Sequence, residues 1–166
     1  MYEVIYFSRS GSTQKLAAAI AGELDVKAQH IRWVKELPEE AEIFLGSGLY
    51  FMRPARMVRE FIRNHDFRGR RIALFGTSNS GINVETLWME WLLKRKGAVI
   101  TGKYHCAGKF TFRLGRMRLC LRGGRPSEKD LDKAREFAAS IRGRFGIKLV
   151  TESLEERNED RILSRV

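Results

Sequence analysis

Residues 6–13 read Tyr-Phe-Ser-Arg-Ser-Gly-Ser-Thr and stand between two segments of different character. The apolar run Val4 to Phe7 is typical of a buried strand, and the Ala-rich segment after residue 13 is typical of a helix. A loop that turns a strand into a helix directs backbone N–H groups and the positive end of the helix dipole at one point, which suits a phosphate. The same residues also fit an ordinary helix cap in which Ser10 or Ser12 only accepts a bond from the first turn. On this loop alone the two interpretations are equally supported.

Two common phosphate-binding motifs do not fit this loop. No Gly-Lys-Ser or Gly-Lys-Thr closes it, and Lys15 comes too late to serve as the lysine of a nucleoside-triphosphate loop. The three spaced glycines of the dinucleotide-binding fingerprint are absent as well.

The length and composition predict one globular domain. A chain of 166 residues can bury a sizeable core. No apolar run approaches the roughly 18 residues that span a bilayer, and residues 1–3 do not open a signal peptide, so we expect a cytoplasmic protein. Cys106 and Cys120 match no zinc or redox spacing and are expected to be reduced thiols, and the three histidines are scattered, so no metal site is predicted.

The charge is unusual for a single domain. The chain has 31 lysines and arginines against 20 acidic residues, a formal net charge of +11. Such an excess indicates an anionic partner, which could be a nucleic acid, an acidic protein, an anionic membrane surface or a phosphorylated ligand.

Strand patterns and helix patterns alternate along the chain, which predicts a parallel, doubly wound α/β sheet. Short apolar runs mark the strands, and segments with an apolar stripe mark the helices. The strands are predicted at 2–7, 26–34, 41–47, 71–76 and 97–106, and the helices at 12–23, 54–64, 84–96 and 127–142.

Three loops that leave the carboxyl ends of these strands have the same chemistry. They are residues 8–13, 46–53 and 77–81, and all are rich in Gly, Ser, Thr or Asn. In doubly wound sheets, ligands bind outside the carboxyl ends of the strands at the point where the strand order reverses. Three loops at one edge that are rich in residues able to hydrogen-bond without charge therefore predict a cofactor pocket.

The first of these loops resembles the phosphate loop of flavodoxins, in which hydroxyl residues flank a glycine and end in threonine. Phe44 to Tyr50 and Leu74 to Gly81 resemble the two loops that enclose the flavin ring in that family, and the similarity covers residues 2–143. The resemblance implies a three-layer sandwich with a five-stranded parallel sheet in the order 2-1-3-4-5 and helices on both faces. It implies a domain over residues 1–146 and leaves residues 147–166 as a charged tail or peripheral helix.

The resemblance also implies non-covalently bound FMN and a role as an electron carrier. Tyr50 would stack on the flavin ring, although it could instead pack against Pro54. No catalytic acid or base is identified, and His105 and Cys106 are expected only to pack. The implied phosphate contacts are Ser8, Ser10, Gly11, Ser12 and Thr13; the implied ring contacts are Gly46, Ser47, Gly48, Leu49, Tyr50 and Phe51 on one side and Thr77, Ser78, Asn79, Ser80 and Gly81 on the other.

Two features depart from the flavodoxin pattern. Arg9 places a cation in a loop that normally has none, and a basic segment runs from Lys109 to Arg125. That segment is either a solvated loop or a docking surface for an acidic redox partner, an anionic substrate or a membrane surface. The expected partner of the protein is a redox protein or a quinone-type acceptor.

Other functions remain open at this stage. Residues 6–17 and 46–61 are similar to bacterial menaquinone-dependent protoporphyrinogen oxidases, which makes an FMN-dependent oxidoreductase acting on a quinone or porphyrinogen the main alternative. Against it, residues 81–106 have no room for the long insertion of those enzymes. An NAD(P)H-dependent flavin reductase is kept open by Arg9. A receiver domain is disfavoured because acidic residues are missing after the first and third strands, and nucleic-acid binding is unlikely because only the charge suggests it.

Overall fold

A computed structural model describes residues 1–78, 82–114, 117–121 and 124–144. Strands and helices alternate as the sequence predicts. The strands are β1 (Tyr2–Phe7), β2 (Ala28–His30), β3 (Glu42–Tyr50), β4 (Arg53–Pro54), β5 (Arg71–Ser78), β6 (Val99–Ala107), β7 (Phe110–Leu114) and β8 (Met117–Leu121). The helices are α1 (Ser12–Glu23), α2 (Arg56–Asn64), α3 (Val84–Lys94) and α4 (128–144), with a 3₁₀ turn at Ile31–Trp33.

The main sheet has the strand order β2-β1-β3-β5-β6, and all of these neighbours are parallel. Counting only these five strands, the order is the predicted 2-1-3-4-5, so the flavodoxin-like fold is confirmed. β1 lies between β2 and β3, which makes the β1–β3 border the point where the chain reverses its direction across the sheet. Any ligand at the carboxyl edge is therefore expected beside the end of β1.

The sheet has an apolar layer on each face, because neighbouring strand residues point to opposite sides. Ile5 packs with residues of α2 and α3, such as Val58 and Met89, whereas Val4 packs with residues of α1 and α4, such as Leu16. Both layers are fully buried at their centres. This rigid three-layer body holds the strand ends in fixed positions.

Two predicted boundaries near the pocket are wrong. The segment 46–53 was expected to be a loop, but β3 continues to Tyr50 and turns back through a two-residue hairpin into β4, with Tyr50 opposite Arg53. The predicted second strand at 26–34 is only three residues long and passes into the 3₁₀ turn. Pairing with a neighbouring strand decides where a strand ends, and that pairing is not visible in local sequence.

Helix α3 faces the core with a different side from the one its tryptophans suggest. Met89 and Leu93 are fully buried, while Leu87 and Trp91 are about half exposed. The Trp88 and Trp91 rings contact each other edge to face instead, with centroids 5.6 Å apart. Met89 and Leu93, one helical turn apart, therefore form the core-facing side of this helix.

The basic segment after β6 is not irregular. β7 and β8 form a separate antiparallel ribbon in which Arg113 lies opposite Arg118. Arg116, Arg122 and the predicted tail at 147–166 lie outside the described residues. Within the described ranges, no helix has the length and hydropathy to cross a membrane.

Candidate functional site

The first predicted loop, the end of β3 and the start of the third predicted loop meet at one edge of the sheet, because β1, β3 and β5 are direct neighbours. Phe7 at the end of β1 is in register with Ser47, and Gly48 is in register with Thr77 near the end of β5. The structure therefore brings together the first loop, the end of β3 and the start of the third loop. Asn79, Ser80 and Gly81, which were predicted to complete the third loop, lie outside the described residues.

The loop after β1 forms a compact turn that opens helix α1. The Ser8 hydroxyl accepts a hydrogen bond from the backbone N–H of Gly11 at 3.0 Å, and the Ser10 and Ser12 hydroxyls share a bond at 3.3 Å. Gly11 has φ of 87°, a left-handed conformation that favours glycine. No side chain in the described ranges caps α1, and its first turn has no acidic residue. The N–H groups at this helix start are therefore available to an anion.

The buried hydroxyls of α1 fasten this loop to the next elements. The Thr13 and Thr77 hydroxyls share a hydrogen bond at 3.0 Å, and Ser12 accepts from the backbone N–H of Lys109 at 2.9 Å. Ser12 and Thr13 are almost fully buried. Both were predicted as phosphate contacts. In the structure their hydroxyls hold β5 and the exit of β6 against the loop.

The end of β3 places an aromatic ring over the loop. The Tyr50 hydroxyl accepts a hydrogen bond from the backbone N–H of Arg9 at 3.0 Å, and its ring contacts Phe7 edge to face with centroids 6.0 Å apart. The Arg9 guanidinium lies over the same ring at 5.6 Å from its centroid. Burial raises the pKa of Tyr50 above its ordinary value. Tyr50 thus bridges the two loops, and it does not pack solely against Pro54.

The other predicted residues of this strand have different positions. Ser47 is buried and accepts from the backbone N–H of Ala55 at 3.1 Å, so it supports the hairpin. Gly46 lies under the Phe75 ring and Gly48 lies under Tyr50. Leu49 is in register with Pro54 of β4. Phe51 is 95 % exposed at the tip of the hairpin.

A hydrogen-bonded chain of three side chains lies on the opposite side of the site, and sequence analysis missed it. His105 Nδ1 lies 2.5 Å from Glu85 Oε1, and His105 Nε2 lies 3.3 Å from the Ser78 hydroxyl. A carboxylate oxygen accepts, so Nδ1 donates to Glu85, and Nε2 of the neutral ring can then accept from Ser78. His105 was expected only to pack, but it joins a buried carboxylate to the predicted cofactor loop.

Glu85 fits in this position because Gly76 has no side chain to occupy the same space. The Glu85 side chain is fully buried, and its second oxygen has no hydrogen-bond partner within the described part of the protein. A Cβ on Gly76 would lie 2.2 Å from Glu85 Oε1, so any larger residue would displace the carboxylate. Because Gly76 is in register with His105 across β5 and β6, the glycine, the acid and the imidazole form one unit.

Cys106 is not a reactive group at this edge. It is buried, and burial together with the charge of Asp130 raises the pKa of its thiol to about 12. Thiols react as thiolates, so this cysteine is inert at neutral pH. Its expected packing role agrees with this position.

Comparison with known proteins identifies the family of this chain. The sequence profile of the flavodoxin domain matches residues 3–114. The chain belongs to the flavodoxin-domain family. A protein of Methanocaldococcus jannaschii described as uncharacterized is 29 % identical over 135 residues, covering 78 % of this chain and 89 % of that protein.

Solved flavodoxin structures share the fold of this family member. A flavodoxin from the domain Archaea superposes with a TM-score of 0.65 at 20 % identity, over 86 % of this chain and 96 % of the other. Flavodoxin 1 of Bacillus cereus superposes with a TM-score of 0.62 at 19 % identity, over 84 % of this chain and 95 % of the other. Rubredoxin:oxygen oxidoreductase of Desulfovibrio gigas gives 0.67 at 17 % identity, over 89 % of this chain and 36 % of that protein. At these identities the likeness shows the fold alone.

One feature of the sequence of this flavodoxin-domain protein could have indicated the Glu85–His105–Ser78 hydrogen-bond network. Glu85 is the acidic residue in the first turn of α3, where an exposed cap is the usual interpretation. Its burial follows from Gly76, which lies nine positions earlier on another element. The signal therefore becomes informative only after strand and helix are packed.

Proposed function

We propose that this protein binds FMN non-covalently and transfers electrons through it. One observation carries the proposal: the uncapped, acid-free start of α1 lies beside an aromatic ring from β3 and the polar end of β5. A phosphorylated aromatic ring system needs these three features within one pocket.

The residues fit the parts of this cofactor. The phosphate would be held by the N–H groups of the α1 start and by the Ser8 and Ser10 hydroxyls, which lie at the loop surface. Tyr50 offers a ring face that is already fixed by its bond to Arg9, so little conformational freedom would be lost on stacking. When bound, the flavin supplies one- and two-electron chemistry, and the protein orients it and tunes its potential.

The described residues also hold a proton next to this pocket. His105 presents Nε2 to Ser78, and Glu85 fixes the orientation and tautomer of the imidazole. Uncharged groups on the α1 side would hold the phosphate, and Nε2 of His105 on the β6 side would act as a hydrogen-bond acceptor beside the cofactor loop.

The test is a titration of the apoprotein with FMN. We expect quenching of flavin fluorescence on binding and a higher melting temperature at saturating FMN. Riboflavin, which lacks the phosphate, is the matched control and should bind much more weakly. Equal binding of riboflavin would contradict the role given to the α1 start, and no binding of either would overturn the proposal.

A second candidate is an FMN-dependent oxidoreductase that acts on a quinone, a porphyrinogen or NAD(P)H. The buried Glu85–His105 pair favours it, because a simple electron carrier does not need an oriented imidazole at its cofactor loop. Stopped-flow reduction and reoxidation with NADPH, a quinone and a ferredoxin-type protein would separate the two. We propose a partner with an anionic surface or anionic groups, since the net charge is +11.

A further inference from the structure

A cavity of about 530 Å³ lies beside the predicted cofactor loops and shares Tyr50 and Phe51 with the residues assigned to FMN. Its walls are the loop after β1, the β3–β4 hairpin and the first turns of α2. Its size is in the range that takes small organic ligands. Arg9 and Tyr50 belong to both this cavity and the loop region, so the two spaces adjoin.

Four arginines line the cavity and no acidic residue does: Arg9, Arg53, Arg56 and Arg59. Arg56 pairs with Glu60 one helical turn along, at 2.7 Å on the exposed side of α2. In the described ranges, the other three have no carboxylate partner. Like charges that line one cavity repel one another, and an anionic ligand would remove that cost.

Arg59 gives a second, independent sign of a missing partner. Its Nε is buried and has no hydrogen-bond acceptor among the described residues. A buried unpaired donor on a charged group is costly, and such groups in native proteins usually have a ligand or functional reason. Because Arg59 lines the cavity, an acceptor placed there could satisfy it.

The start of α2 adds to the positive potential. No side chain in the described part of the chain caps the helix at Ala55, and the first turn has no acidic residue. The N-terminal end of a helix carries partial positive charge. The helix dipole and the four guanidinium groups therefore act in the same direction at this cavity.

The remaining walls are apolar and aromatic. Phe7, Tyr50 and Met57 line the cavity, and Phe51 stands at its mouth with 95 % of its surface exposed. Phe51 and Met52 form the hairpin turn with φ of 49° and 60°, a conformation that non-glycine residues adopt at a cost. Strain of this kind tends to occur at functional sites, and here it holds an aromatic ring over a basic cavity.

We propose that this cavity binds a small organic molecule carrying at least two carboxylate or phosphate groups on a flat apolar body. The arginines match the anionic groups, since each guanidinium can bind a carboxylate or phosphate through two parallel hydrogen bonds. Phe51, Phe7 and Met57 match the apolar body. The inference rests on the proposed function and names a substrate class for its second candidate, the FMN-dependent oxidoreductase, because a ligand here would lie against Tyr50.

Calorimetric titration with two pairs of probes tests this proposal. Terephthalate carries two carboxylates and benzoate carries one, while ADP carries a diphosphate that adenosine lacks. We expect at least one dianion to bind about tenfold or more tightly than its matched control. Terephthalate alone would assign carboxylates, and ADP alone would assign phosphates.

Variants then locate the binding. Arg53→Gln together with Arg59→Gln should weaken the preferred probe by about tenfold or more. Arg63→Gln, on the same helix as Arg59 but outside the cavity, removes one charge, as Arg53→Gln alone does, and should leave the affinity unchanged. Arg53→Gln alone, at an exposed position, should show a smaller loss of affinity. It serves as the test if the double variant does not fold.

The titration is run with and without saturating FMN to separate the two proposals. Binding that persists in the presence of FMN supports a cavity distinct from the phosphate loop. Lack of FMN binding by the wild-type protein would overturn the proposed function while leaving the anion test intact in the apoprotein. The inference fails if dianions bind no better than their controls, if FMN abolishes their binding by competition, or if the folded variants bind them as the wild type does.

Discussion

The two rims of the candidate site lie side by side but use different chemistry. The rim after β1 is a local turn in which the Ser8 hydroxyl accepts from the Gly11 N–H, and its hydrogen bonds join uncharged groups. The rim after β5 depends on Glu85 and His105, which come from α3 and β6 and are joined through a buried hydrogen bond. A hydrogen bond between the Thr13 and Thr77 hydroxyls connects the rims.

This difference predicts where stability and where binding are most sensitive to substitution. A local turn is formed by consecutive residues, so removing one contact leaves the rest of the protein intact. A buried acid with an imidazole partner involves three elements at once, and breaking it leaves an unsatisfied group in the core. We therefore expect changes to the β1 rim to alter binding and changes to the β5 rim to alter folding.

The largest expected effect on folding comes from Glu85→Ala. The substitution removes the partner of His105 and leaves a cavity next to Gly76, so we expect a loss of about 3 kcal/mol in the free energy of unfolding. Urea denaturation followed by circular dichroism measures it. Glu85→Gln, which keeps the size and one hydrogen bond, should lose distinctly less. Equal losses for Glu85→Ala and an exposed glutamate such as Glu39→Ala would show that the pair contributes nothing.

Ser10→Asp should have the largest effect on binding and little effect on folding. A carboxylate at the start of α1 repels a phosphate, so FMN affinity should fall about a hundredfold, or nearly 3 kcal/mol. The same charge interacts favourably with the helix dipole, and the apoprotein should melt no lower than the wild type. Ser10→Asn is the neutral control. A melting temperature that falls together with the affinity would remove the contrast between the rims.

Gly76→Ala should cost about 2 kcal/mol, because the new methyl group would overlap Glu85. In the background of Glu85→Ala most of this loss should disappear, since the overlapping carboxylate is gone. Gly22→Ala, on an open surface of α1, is the matched control and should stabilise the protein by about 1 kcal/mol. Additive losses in the double variant would mean that Gly76 is required for a reason other than Glu85.

Ser8→Ala should give the smallest effect. It removes the acceptor for the Gly11 N–H, which is worth about 1 kcal/mol of stability at a partly buried site. FMN titration should show a loss of affinity of similar size. Ser140→Ala on the exposed side of α4 is the control and should change unfolding by less than about 0.5 kcal/mol. A loss as large as that of Glu85→Ala would show that the β1 rim is not a local structure.

Much of the fold and part of the site follow from the sequence. Alternating apolar runs and helical stripes are local properties of the sequence. The bounds of β1, α1 and β5 could therefore be predicted within a few residues. The turn around Gly11 was also recognisable, because its hydroxyls and glycine are consecutive. The flavodoxin-like order of the strands came from the order of several motifs along the chain.

Contacts between distant elements could not be predicted in the same way. The β3–β4 hairpin has Phe51 and Met52 at its turn, where the usual turn residues are absent, so its sequence looks like a loop. The Glu85–His105 pair joins α3 to β6, and the four arginines of the cavity come from three separate segments.

The amino-acid sequence alone determined the parts of this protein that depend on neighbouring residues: the periodicity of strands and helices, the glycine-centred turn and the excess of positive charge. Only the tertiary structure decided which side chains share a buried environment. It assembled the acid with the imidazole and the arginines with the aromatic rings. The physical reason is that burial and hydrogen bonding depend on distances in space, which the spacing of residues along the chain does not give.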